Sequence, residues 1–137
     1  MIKLKRVYDP PAASDGLRIL VDRLWPRGLA KEPARIDVWQ QSLAPSDELR
    51  KWYGHDRRRF PRFRERYRLE LFRYRDELAT LAIEGEGKTV TLLYAAADST
   101  HSNAAVLKEL LDEVLVGRPT FAPIHPAQRR EPPAPRL

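Results

Sequence analysis

The sequence predicts a small single-domain α/β fold, a mainly parallel sheet flanked by helices in Rossmann-like layering. Three observations carry that expectation. Leu17 to Leu24 reads as a buried strand, and Thr89 to Ala97 is a nearly continuous apolar run, the pattern of a strand buried on both faces of a parallel sheet. The second run leads through a polar loop into a helix and not into a hairpin, as the end of a βαβ-type unit does. With a proline-rich end set aside, about 115 of the 137 residues remain, enough for one sheet, a few helices and one modest core.

Taken in order, Ile2 to Tyr8 alternates apolar with basic residues, as a half-exposed strand does, and Asp9-Pro10-Pro11 stops it. Leu17 to Leu24 follows. Trp25-Pro26-Arg27-Gly28 ends it, because proline holds the preceding residue extended and lacks a ladder donor. A short helix is expected around Ile36 to Gln41. Ser46 is a good N-cap, Asp47 and Glu48 sit where the helix dipole favours anions, and Gly54 closes the helix after Tyr53.

Phe60 to Ile83 reads as one long helix of about 35 Å at ~1.5 Å per residue. Phe60, Phe63, Tyr67, Leu71, Tyr74, Leu78 and Leu81 form its apolar stripe. Arg64, Arg68 and Arg75 flank the stripe on one side and Arg62, Arg66 and Arg73 on the other, as snorkelling side chains of a solvated helix do. A weaker apolar line, Leu69, Phe72, Ala79 and Ile83, lies on roughly the opposite face, to be covered by another element or by a second subunit in a homodimer. Gly85-Glu86-Gly87-Lys88 reads as a turn feeding the second buried strand. Asn103 to Val116 is a helix with Val106, Leu107, Leu110, Leu111, Val114 and Leu115 as its apolar positions, closed by Gly117 and Pro119. Six of the twenty residues from Arg118 to Leu137 are proline, so residues 118–137 read as a disordered tail beyond a domain of residues 1–117.

No run approaches the roughly 18 apolar residues of a membrane span, and the start lacks the apolar segment of a signal peptide, so a soluble cytoplasmic protein is expected. The absence of cysteine removes disulfides, thiolate nucleophiles and thiolate metal sites. A formal net charge of +6 invites a nucleic-acid reading, yet residues 118–137 carry four arginines against one glutamate and so hold half of that excess. Neither a dinucleotide fingerprint nor a Walker-type loop is present, so no cofactor is specified. The three histidines form no zinc motif, and no serine sits in a nucleophile elbow.

Chemistry is expected where strand ends face helix starts, since free backbone N–H groups and the positive helix terminus hold anions there. The first buried run ends in Asp22-Arg23-Leu24-Trp25-Pro26-Arg27, the second in Asp98-Ser99-Thr100-His101-Ser102-Asn103. Arg23 and Arg27 each offer a planar fork for two phosphate or carboxylate oxygens. Trp25 stacks on a ring or packs beside the proline turn. Ser99, Thr100, Ser102 and Asn103 supply hydroxyl and amide groups to a ligand, or one of them caps the last helix and the others solvate its turn. Asp22 is a candidate base or cation ligand, with an ion pair to Arg18 or Arg23 as the alternative. Asp9, Asp22 and Asp98 together are a candidate set for a hard cation such as magnesium, although no spacing specifies one. His101 is the best-placed proton shuttle, with a surface or capping role as the alternative. His55 reads as a helix-end residue.

The run Asp15 to Gly28, Pro45 to Arg50, Phe63 with Arg66-Tyr67 and Glu70-Leu71, and Leu92 to Ala95 resemble the bacterial YeaO-like proteins, a family whose domain has no established function. The resemblance covers roughly Ile2 to Leu115 and implies a compact α/β domain in a bacterial cytoplasm. Ala97 stands where the family commonly has a basic residue, and Ser102 where asparagine is common. Three functional readings follow. The leading one is a small enzyme or ligand-binding domain that holds a phosphorylated or otherwise anionic ligand, such as a nucleotide or nucleic-acid end, at the strand ends. In it Asp22 and His101 are the acid–base candidates, and Arg23, Trp25, Arg27, Ser99, Thr100 and Asn103 the ligand contacts. The second is a nucleic-acid-binding or regulatory module without chemistry, and the third a protein-interaction module.

Overall fold

A computed structural model describes residues 1–117, and the tail expected at 118–137 lies outside the described residues. Four strands, β1 (Ile2–Arg6), β2 (Leu17–Leu20), β3 (Val38–Trp39) and β4 (Val90–Tyr94), form one parallel sheet in the order β1-β4-β2-β3. The two apolar runs therefore supply the two central strands, and every residue of β4 is buried. Among the described residues five α-helices accompany them: α1 (Lys31–Ala34), α2 (Asp47–Tyr53), α3 (Phe60–Leu71), α4 (Arg75–Gly87) and α5 (Asn103–Leu115). The chain is a small α/β domain.

The two sheet faces are unequal. Ile2, Ile19, Val90 and Leu92 point to the main core, where Leu49, Phe63, Tyr67, Leu71, Leu78, Leu107 and Leu110 of α2 to α5 meet them. The other face carries a smaller cluster, Val7, Leu20 and Leu93, under Trp25, Leu29 and Ile36. Toward the starts of the strands that second face is polar. Asp15 accepts from Lys5 at 3.0 Å and from Arg18 at 2.5 Å, while Arg18 also donates to the carbonyls of Ala34 and Arg35. Buried charges in proteins are retained when paired and hydrogen-bonded in this way.

Three sequence expectations change. The segment 36–41 is not a helix: Asp37 N–H donates to the Arg18 carbonyl, Gln40 N–H to the Leu20 carbonyl, and the Asp37 carboxylate accepts from Arg18 N–H, which lays Val38–Trp39 along β2 as an edge strand. The helix expected over 60–83 is two helices. Phe72–Tyr74 form a 3-10 turn between α3 and α4, and the Phe72 N–H already binds the Leu69 and Glu70 carbonyls. Glu77, in the first turn of α4, is anchored to Gln40 at 2.8 Å and Ser42 at 2.6 Å. The apolar stripe crosses the break without a change of face, since Phe63, Tyr67, Leu71, Leu78 and Leu81 are all buried. Finally, residues 85–87 continue α4 and are not a turn. Gly85 lies where β1 touches the helix, and a Cβ there would stand 2.3 Å from Ile2 Cδ1.

The arginines beside the stripe are not all solvated. Arg68 is 1 % exposed and pairs with Glu113 and Glu109 of α5, and Arg64 donates to Glu109 at 2.8 Å. Leu69, Phe72 and Ile83 of the second apolar line are exposed. Among the described residues no helix is long and apolar enough to cross a membrane.

Candidate functional site

The carboxyl ends of β2 and β4 lie side by side, because Leu20 registers with Leu93 and the Val21 N–H donates to the Leu93 carbonyl. Each chain then leaves the sheet, and the two departures enclose a cleft of about 490 Å³, within the ~300–1,000 Å³ of small-molecule pockets. The Asp22–Arg27 segment forms one wall, Ala95–Ala96 with His101–Asn103 another, and Arg50–His55 of α2 and its exit the third.

Asp22 sits at the junction. Its Oδ2 accepts from the Ala95 N–H at 2.9 Å and its Oδ1 from the Asn103 amide at 3.2 Å; that amide also donates to the Val21 carbonyl at 3.0 Å. It forms no ion pair with Arg18 or Arg23. Burial raises the Asp22 carboxyl above the ordinary carboxylate value, and the Ala95 N–H, the Asn103 amide and the nearby His55 offset part of that rise. Two bonds occupy only part of the four-lone-pair acceptor capacity of a carboxylate.

Arg23 is committed in part to structure: Nε donates to the Pro45 carbonyl at 2.8 Å and Nη2 to Ala44 at 3.4 Å. This clamps the end of β2 to the approach of α2. Arg27 differs. Its carbonyl accepts from the Tyr8 hydroxyl, while its guanidinium is exposed and has no hydrogen bond or ion pair among the described residues. Trp25 is half-buried, donates its indole N–H to the Leu29 carbonyl and meets Trp39 edge-on at 5.4 Å, so packing accounts for most of its surface.

His101 lines the cleft with its Nδ1 2.9 Å from Asp98 Oδ2 and its ring edge-on to Phe60 at 4.9 Å. The Asp98 carboxyl is held well below its ordinary value, chiefly by the bond to His101 and further by Thr100 and Arg57. Ser99 and Thr100 do not line the cleft: Thr100 is turned onto Asp98, with both its N–H and its hydroxyl donating to Oδ1. Ser102 caps α5 by accepting from the Ala105 N–H at 3.1 Å. Asparagine at that place offers the same capping chemistry. Asp9, Asp22 and Asp98 do not gather, and among the described residues no three His, Asp or Glu side chains stand close enough to hold a metal ion.

The sequence reading did not single out Arg50, Lys51, Tyr53 and His55 as site residues. At the exit of α2, Gly54 and His55 both adopt positive φ, 52° and 59°, and return the chain to the cleft. The Tyr53 hydroxyl donates to the His101 carbonyl at 2.7 Å and ties this wall to the α5 loop.

A family model described as the inactive DUF488-N3 subclade matches residues 1–127. The chain is 44% identical over 110 residues to the uncharacterized protein YeaO of Escherichia coli (strain K12), covering 80% of this chain and 96% of that protein. It is 40% identical over 111 residues to the uncharacterized protein Rv3073c of Mycobacterium tuberculosis (strain ATCC 25618 / H37Rv), covering 81% and 93% respectively. No solved structure matches it. The strand-end motif, the fold it builds and these likenesses agree: the chain belongs to the YeaO-like DUF488 family, in the subclade described as inactive DUF488-N3.

Proposed function

We propose that the strand-end cleft is a binding pocket for a small phosphorylated ligand, a nucleoside phosphate or sugar phosphate, held without turnover. The observation that carries this is polarity within the cleft. Asp22, a half-buried carboxylate, and Arg27 and Lys51, neither with an ion-pair partner among the described residues, line the same cleft. A ligand with hydroxyl or amine donors at one end and a phosphate at the other satisfies both. Asp22 takes the donors, while Arg27 and Lys51 take the phosphate through charge-assisted hydrogen bonds.

The remaining walls suit a ring between the two ends. Pro26, Pro45, Tyr53 and Phe63 are apolar and buried, and the N-terminal turn of α5 adds its positive dipole end. In this reading His101, braced by Asp98, is a ligand contact, and Arg23 holds the wall in place. The subclade description as inactive favours binding over turnover.

Thermal-shift titration with AMP, GMP, CMP, UMP and glucose 6-phosphate, each beside its unphosphorylated counterpart, tests the proposal. At least one phosphorylated compound stabilises the protein, its counterpart does not, and Arg27→Ala with Lys51→Ala removes the shift. The compound is recovered chemically unchanged. A shift that survives the double substitution refutes the assignment of the cleft, and conversion of the compound refutes the binding-only reading.

A further inference from the structure

We infer that the cleft receives the phosphorylated end of a nucleic-acid strand, whose further phosphates run outward over the basic surface beside it. The inference rests on the phosphorylated-ligand reading above and names the polymer that supplies the phosphate.

Residues 50–66 hold eight basic and two acidic side chains, while the formal charge of the entire chain is +6. The positive excess is therefore concentrated next to the cleft as well as beyond residue 117. The structure joins this surface to the cleft on two sides. Arg57 Nε donates to Asp98 Oδ2 at 2.8 Å, and the same carboxylate holds the cleft residue His101. Arg59 and Arg66 place their guanidinium carbons 5.4 and 5.2 Å from the centre of the Trp52 ring, and Trp52 lies in α2 between the cleft residues Lys51 and Tyr53.

A stacked guanidinium loses little further freedom when it meets a phosphate, so Arg59 and Arg66 are ready-placed cations. Arg58 is 91 % exposed, and Arg62, also exposed, has no ion pair among the described residues. Asp56 pairs with Arg58 and Arg59 and offsets part of the charge without removing it. A mononucleotide phosphate is satisfied by Arg27 and Lys51 alone. The additional row of cations matches a chain of phosphates, for which counterion release adds affinity with each contact.

The test measures fluorescence anisotropy of random-sequence single-stranded DNA decamers, phosphorylated at the 5′ end, at the 3′ end or at neither, with the full chain. Binding of AMP, GMP, CMP and UMP is followed in parallel by calorimetry. One phosphorylated decamer binds about tenfold or more tighter than any mononucleotide and than the unphosphorylated strand. Arg58→Glu with Arg62→Glu, both exposed and outside the cleft, weakens the decamer about tenfold or more, makes its log–log salt slope shallower by about 2, and leaves mononucleotide affinity within about twofold. A decamer bound no tighter than mononucleotides, or one indifferent to that double variant, overturns the inference and leaves the small-ligand reading standing. Loss of decamer binding only in Arg129→Glu with Arg130→Glu overturns it too, by assigning the polymer to residues beyond 117. Absence of both mononucleotide and decamer binding removes both readings.

Discussion

The Asp22 carboxylate accepts a hydrogen bond from the backbone N–H of Ala95 at 2.9 Å, so the first polar residue after β2 fixes the chain where it leaves β4. One side chain thus shapes the floor of the cleft and titrates within it. Its raised folded pKa means that the folded state binds the Asp22 proton more tightly than the unfolded chain does. The contribution of this group to stability then declines as pH rises from the ordinary carboxyl value through the raised one, and stays low above it. Asp22→Asn abolishes that term. Urea unfolding at pH 4, 5, 6 and 7 is expected to show the stability of the variant relative to wild type improving with pH, whatever the offset between them. Parallel curves contradict a raised Asp22.

Gly16 and Gly28 both have positive φ, 63° and 73°, yet they differ in what surrounds them. A Cβ on Gly16 would lie 2.2 Å from the Thr89 carbonyl oxygen, a backbone atom at the start of β4, whereas a Cβ on Gly28 meets nothing within 4 Å. Gly28→Ala is expected to cost about 1 kcal/mol, from the left-handed backbone alone. Gly16→Ala is expected to cost more than about 3 kcal/mol, because two strands must also part. Equal losses in denaturant unfolding contradict the close approach.

Arg68 is buried between α3 and α5 and pairs with Glu109 and Glu113. Truncation to alanine removes packing and charge together and is expected to cost about 3 kcal/mol, while Arg68→Met, which keeps the length, costs less than about 1.5 kcal/mol. Thermal unfolding of the two variants checks this. A methionine variant as unstable as the alanine one shows the ion pairs to dominate over packing.

Ser46 caps α2 by accepting from the Leu49 N–H at 3.2 Å and also donates to Glu70 Oε2 at 2.5 Å, which links the start of α2 to α3. Ser46→Ala therefore loses a cap and a charge-assisted bond, about 2 kcal/mol together. In Ser46→Ala with Glu70→Gln the two losses are expected to be less than additive, as measured by a double-mutant cycle. Strict additivity contradicts the link.

Much of this architecture was legible. Leu17 to Leu24 read as a buried strand and Thr89 to Ala97 as one buried on both faces, and they contain β2 and β4, Leu17–Leu20 and Val90–Tyr94; Ser46 and Gly54 bracketed α2 by chemistry local to the chain. Parallel strands direct their carboxyl ends to one side, but the meeting of these two ends depends on β2 and β4 being neighbours, a strand order the sequence left open. What failed depended on distant partners. Val38–Trp39 is a strand only because Arg18 and Leu20 offer it a ladder, and the break at Phe72–Tyr74 leaves the spacing of buried residues unchanged, so periodicity passes over it. Arg68 looked like any flanking arginine until α5 brought two glutamates to it. At the cleft, Lys51 and His55 were hidden for the same reason: their place depends on how α2 packs, and no local motif records that.

The central claim is that a phosphorylated ligand occupies the cleft between the ends of β2 and β4. The most direct measurement is a ¹H–¹⁵N correlation spectrum of the full chain titrated with AMP, GMP, CMP and UMP. The account predicts saturable shifts confined to residues 22–27, 50–55 and 95–103, including the Trp25 indole N–H, and their loss in Arg27→Ala with Lys51→Ala. Shifts centred on residues 69–75, or no saturable shifts with any of the four, contradict it.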